Sequence, residues 1–503
     1  MDLIPYRPKK PSKPLPLQSY LFGHRVQPSQ TKYEYLIEFL QVVIAKKYNA
    51  YGKSFDNEFF PVDRSAIEET VSYQPETRIG LKRFVFFPKS KLEGKAEVDK
   101  VAYEKCVDEL IRNINSKSEI KRRNCVKIIQ NLLRGFSAVN QSRSWFDQNM
   151  LPICPEVILP EGMGVKKWRQ GLVFTTGDPD IDGKFDYHRY TYMCRGGEVY
   201  YLHLLAAINR YPNYQDVISE RLKEMINSFP QFSYLCNFVQ NTWDNYMLVT
   251  EGAKTETKDL GIIPAAFQIR DEYLLKELTN FLNSKAHPFE KMEMLANGII
   301  LQLLRAMYLA ASTPEESNCW VVDVNCRGYE SPEMKKIAMS SFKHNEEVIN
   351  NYLYRELDEL RSELKETDEA KIIKGAADDS YRLFRKMGKM IGIVIPATGP
   401  GMRFSLSEEI IKFLVLSIIP PKGMITLDEF MDQLYDHYGM VIGPQQYRHE
   451  MEAGSVKAVG ELSFMEENKQ AFSQKLKDCG FLRDLSDATS IVENPYESEV
   501  ESI

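Results

Sequence analysis

The stretch DPDIDGKFDYHR, residues 178–189, sets Asp178, Asp180, Asp182 and Asp186 around Gly183. At this alternating spacing carboxylate oxygens can converge on one divalent cation, while the glycine permits the sharp turn. Such an ion could polarise a phosphoryl oxygen or activate water, with His188 beside it, which is the chemistry of a metal-dependent nucleic-acid-processing enzyme. The pattern fails at its end. Arg189 stands where the bidentate acid of a calcium loop belongs, and the flanks read as strands rather than helices. A solvated, aspartate-rich turn is the plainer reading, with no bound metal. NAYGKSF, residues 49–55, carries the Gly-Lys-Ser ending of a phosphate-binding loop. Lys47 occupies the position of the required first glycine and no hydrophobic strand precedes it, so nothing aims the backbone amides at phosphate.

The other residues able to do chemistry are scattered. The seven histidines do not cluster, and the eight cysteines contain no C-x-x-C pair. Zinc needs ligands brought together by tight local spacing, so the thiols are expected to be reduced and structural. A serine nucleophile elbow and a H-E-x-x-H helix are both missing. The chain therefore reads as a non-enzymatic protein with no cofactor, and the acidic cluster 178–186 carries the alternative.

Cations offer a different function. Residues 1–150 hold 26 Lys+Arg against 17 Asp+Glu, whereas 401–503 hold 9 against 18, so any polyanion contact belongs to the N-terminal third. In KSEIKRRNCVKIIQNLLRG (117–135), Lys121, Arg122, Arg123 and Lys127 alternate with Ile120, Val126 and Ile129. One helix face could neutralise phosphates while the other packs inward. In GVKKWRQG (164–171), Lys166, Lys167 and Arg169 flank Trp168, which could stack a base or sit in a core.

The elements that must position these residues are mostly helices. Residues 1–30, dense in proline and basic residues, read as an extended arm. Helical spacing over 31–50, 98–115 and 118–134, with a strand at 81–87, makes 31–150 an α-rich basic N-terminal domain. Residues 151–332 form a mixed, mainly helical middle domain, with short strands near 171–176 and 188–194 and helices at 213–228, 231–245, 270–284 and 288–312. Residues 333–400 read as a charged helical connector, and 497–503 as an acidic tail. The first residues lack the apolar core of a signal peptide, and no stretch approaches the ~18 uninterrupted apolar residues of a membrane span. The expected location is the cytoplasm.

Residues 401–496 are the most legible. Ser405 or Ser407 caps a buried helix, Thr426 caps and Gly439 ends a second, and FMEENKQAFSQKLKDCG forms a third before the strands FLRDL and TSIVE. Three helices and a hairpin give a winged helix-turn-helix. The fold class is thus mainly α with small β elements, multidomain, ending in a winged helix. Glu466, Glu467 and Asp478 on the third helix, with Asp484, Asp487 and Glu493 on the hairpin, offset Lys469, Lys475, Lys477 and Arg483. The wing is therefore expected to pack or bind protein rather than enter a groove.

RFSLSEEIIKFLVLSIIPPKGMITLDEFMDQLYDHYGMVIGP together with GFLRDLSDATSIVENPY resembles the C-terminal region of uncharacterised accessory proteins in multi-gene prokaryotic anti-phage, restriction-like defence systems. The resemblance covers about the last hundred residues. It implies a subunit working beside an ATPase, helicase or nuclease, with DNA as an auxiliary partner and no membrane.

Overall fold

A computed structural model describes residues 3–4, 17–26, 30–55, 58–63, 71–74, 78–89, 97–138, 148–159, 174–175, 195–246, 248–249, 257–313, 318–360, 369–486 and 489–499. The protein is mainly helical, with small sheets of two to four strands. Most of the arm lies outside the described residues, but Leu3–Ile4 pairs antiparallel with Ile263–Pro264. The helix Leu17–Phe22 then buries Leu17, Leu21 and Phe22.

The largest core draws on apolar side chains from Leu17 to Val492. At its centre, helix Lys32–Ile44 packs on Gly196–Arg210 and on Pro288–Ala311. The approach is close because two glycines permit it: a Cβ on Gly196 would lie 1.9 Å from the Tyr35 ring, and one on Gly197 2.3 Å from the Tyr35 carbonyl. Pro288–Ala311 is long and apolar enough to cross a membrane by length and composition, yet 89% of its apolar window is buried inside the protein. Burial on all sides accounts for its apolar circumference.

A second core gathers the N-terminal helices Ile79–Phe86, Glu97–Asn113 and Glu119–Arg134 against Pro230–Tyr246. The expected strand at 81–87 is part of the first of these helices. Every residue from Leu81 to Phe87 is buried, Lys82 and Arg83 included, so the stretch is enclosed on all sides rather than presenting one apolar face. Gly80 lies against Trp243, and the Arg83 guanidinium stacks 4.9 Å from the Trp243 ring centroid.

The expected middle helices are present as Gln215–Ile226, Pro230–Tyr246, Asp271–Asn283 and Pro288–Ala311. Only Phe174–Thr175 of the strand near 171–176 falls among the described residues, and the strand at 188–194 lies outside them. The connector contains helices Pro332–Leu360 and Glu369–Arg382, the latter continued by a π-helical turn, Leu383–Met387. The Gly-Lys-Ser stretch is a hairpin tip between Lys46–Tyr48 and Ser54–Phe55, with the Asn49 carboxamide accepting from the amides of Tyr51 and Lys53.

After residue 401 come helices Glu408–Ile418, Leu427–Tyr438, Pro444–Glu452 and Ser463–Asp478. Ser407 caps the first, Thr426 and Glu429 form a capping box on the second, and Gly439 ends it at φ 64°. Pro444–Glu452 occupies what reads in sequence as a loop, so four helices rather than three precede the hairpin. Strands Met424–Thr426, Thr489–Glu493 and Leu482–Ser486 lie in that order in one antiparallel sheet.

Candidate interaction surfaces

The basic helix Glu119–Arg134 starts at Ser118, whose Oγ accepts from the Lys121 amide at 3.4 Å. Its inner side holds Val126 and Leu133, and Gln130 donates to the Phe84 carbonyl and to the Tyr103 hydroxyl. Arg134 is committed to the Val85 carbonyl through Nε and Nη2 at 3.1 and 2.7 Å.

The four candidate cations on this helix separate. Lys121 and Lys127 are exposed, with no ion pair among the described residues. Arg123 is exposed and paired to Glu119 at 2.8 Å. Arg122 is half-buried on the inner side, its Nε shielded from solvent.

Contrary to expectation, Ile120 does not pack inward. Ile120, Ile128 and Leu132 are 73%, 65% and 44% exposed. With Asn124 they recur every fourth residue, so they form one line along the helix. Lys117, Lys121 and Lys127 border it. This exposed apolar line is what the sequence reading missed; the signal was that Val126 and Leu133, seven apart, already supply the buried face.

The second basic strip, Lys166, Lys167 and Arg169, lies outside the described residues, as do Asp178, Asp180, Asp182, Asp186 and His188. Among the described residues no group of three His, Cys, Asp or Glu side chains could hold a metal ion.

The C-terminal helix and hairpin spend their cations internally. Lys469 pairs with Asp428, Lys477 with Asp484 at 2.6 Å, and Arg483 with Glu493 at 2.6 Å. Lys475 donates to the carbonyls of Val324 and Leu406 at 2.7 and 2.8 Å, and burial lowers its pKa. The described part of the acidic tail is also engaged: the Lys285 amide donates to the Glu497 carbonyl, and Glu499 pairs with Lys291 at 2.9 Å.

Two buried charge networks tie the elements together. Glu277 receives Arg270 at 3.1 Å, His437 at 2.8 Å and the Tyr438 hydroxyl at 2.6 Å. Burial alone would raise the Glu277 pKa, but Arg270 and His437 hold it below the ordinary value. This network joins helix Leu427–Tyr438 to the middle helices. In the other, Glu198 accepts from Tyr73 at 2.6 Å, from Arg195 at 3.1 Å and from Lys258. Beside it, burial pushes the Glu38 carboxyl up to about 8, even though the Gly197 amide donates to it at 2.9 Å. Both networks spend their polar groups inside the protein, which is a positioning role. The described cysteines are free; Cys154 and Cys236 face each other at 3.9 Å in the second core.

These features define a mainly helical protein whose last hundred residues carry four helices and a three-stranded sheet, with the cations of the last helix and hairpin engaged within the protein. Residues 402–496 match the family model described as methylation-associated defense system protein MAD7. The match falls on the stretch whose sequence resembles defence-system accessory proteins, and it covers the last hundred residues alone. No curated protein and no solved structure matches the chain.

Proposed function

We propose that this protein is a non-enzymatic assembly subunit of a prokaryotic, methylation-associated anti-phage complex, acting in the cytoplasm beside an ATPase, helicase or nuclease of the same system. The C-terminal region serves in this reading as a winged helix used for packing, because the cations of its last helix and hairpin are already engaged within the protein. The observation that carries the proposal is the line Ile120, Ile128 and Leu132, exposed between lysines. A purely phosphate-neutralising face has no use for three large apolar side chains, whereas an acidic amphipathic helix of a partner subunit matches both the line and its basic border. DNA is an auxiliary ligand, met by Lys121 and Lys127 and by the strip Lys166, Lys167 and Arg169.

The test is co-expression with each other subunit of its own system, followed by purification through a tag on this chain. We expect one subunit to co-purify stoichiometrically, and Ile128→Asp with Leu132→Asp to release it while the melting temperature holds. A doubly substituted chain that still retains every partner removes the docking assignment. A chain that is active alone removes the assembly role.

A further inference from the structure

The segment SYRLFRKMGK, residues 380–389, carries a cationic groove that neither the family match nor the docking helix involves. Asp378, Tyr381, Arg382, Arg385, Lys386 and Lys389 line a shallow groove of about 450 Å³. Four of those six side chains are cations and one is an acid. They come from the end of helix Glu369–Arg382, from the turn that follows and, for Lys389, from the short helix Gly388–Met390. That turn, Leu383–Met387, is π-helical, so the chain carries one extra residue there, and both Arg385 and Lys386 reach the groove.

The internal pairing leaves a surplus of positive charge. Arg385 is gripped by Glu346 through Nε and Nη2 at 2.6 and 2.8 Å. Asp379 is held by Arg25 at 2.7 Å, and Arg382, 47% exposed, reaches it only at 3.5 Å. Lys389 has no ion pair among the described residues, and the exposed Lys374 extends the strip by two turns. Aromatic rings stand beside these charges. The Tyr381 ring lines the groove, with the Arg385 guanidinium 4.8 Å from its centroid, and Tyr354 on the long helix Pro332–Leu360 is 51% exposed.

We infer that this groove binds a single strand of nucleic acid, with Arg382 and Lys389 on successive phosphates and a base stacked at Tyr381. Cations that track a backbone beside exposed aromatic faces are what an unpaired strand requires, since its bases are free to stack. A duplex buries its bases and gains nothing from the tyrosines. The inference does not rest on the docking helix Glu119–Arg134.

The test uses the full chain, a labelled oligothymidine strand and a duplex of equal length, with affinity followed against salt concentration. Arg382→Glu with Lys389→Glu should weaken strand binding at least about tenfold, and lower the salt slope by roughly 1.4, at ~0.7 per phosphate contact. Tyr381→Ala should cost the strand about tenfold through lost stacking and leave duplex affinity alone. The substituted side chains are exposed or half-buried, so an unchanged melting temperature accompanies the expected result. Strand affinity that survives Arg382→Glu with Lys389→Glu overturns the site. Equal affinity for duplex, indifferent to Tyr381→Ala, overturns the single-strand assignment. Failure of any strand to bind at low salt does so too, including the case in which the charge reversal instead releases an acidic partner protein.

Discussion

Lys475 sits on helix Ser463–Asp478 with its ammonium turned inward to two carbonyls, so its charge is spent on the fold. Replacing it with methionine leaves both carbonyls without their charged donor, and we expect a loss of about 2–4 kcal/mol in chemical denaturation. Lys477, whose partner Asp484 is exposed, should cost under about 1 kcal/mol on change to alanine. The contrast matters for any charge-reversal study: Lys475→Glu reports folding before it reports DNA. Glu38 makes a pH prediction. Its pKa stands at about 8 in the folded protein, against 4.5 ordinarily. Between those values the folded state keeps a proton that the unfolded state has lost, so this group's contribution to stability falls as pH rises through that window. Glu38→Gln should flatten that fall, read as the pH dependence of the denaturation midpoint; an unchanged slope would show that Glu38 ionises normally.

At the scale of elements, legibility followed local chemistry. Thr426 and Gly439 marked both ends of helix Leu427–Tyr438 because a capping box and a left-handed C-cap are chosen by nearest neighbours in sequence. The stretch 81–87 misled because its aromatic and branched residues favour strands in isolation. Packing against Trp243, far away in sequence, decides for helix there. Pro444–Glu452 was missed for a related reason: GPQQYRHEME is polar, and the only apolar side chain it fully buries is Tyr447. The exposed line on Glu119–Arg134 was hidden because Ile120 reads as part of the same face as Val126 and Ile129, whereas the seven-residue pair Val126 and Leu133 supplies the buried side. Gly439 gives this scale its prediction. A Cβ there would lie 2.4 Å from the Arg305 guanidinium and 2.6 Å from the Asn318 carbonyl, on a backbone already at φ 64°. Gly439→Ala should therefore destabilise the chain by more than the ~1 kcal/mol of backbone strain alone, seen as a lower melting temperature.

Across the whole molecule, the family-matched region is anchored rather than tethered. Glu277 receives donors from Arg270 on one side and from His437 and Tyr438 on the other. Removing one partner of a buried pair leaves an uncompensated charge, so Glu277→Ala should cost about 3–5 kcal/mol and loosen residues 402–496 from the middle helices, read as new protease cleavage. Because the folded pKa of Glu277 is lowered, this stabilisation is present above its ordinary value of 4.5 and is lost as pH falls through the folded value.

The proposed function puts partner contact on the N-terminal third, on the strength of the exposed line on Glu119–Arg134 and of the pairing within the last helix and hairpin. Hydrogen–deuterium exchange on this chain, alone and with its co-purified partner subunit, tests that assignment most directly. The account predicts new protection over residues 119–134, with little change over 463–493. Protection confined to 463–493, with 119–134 exchanging as in the free chain, would contradict it.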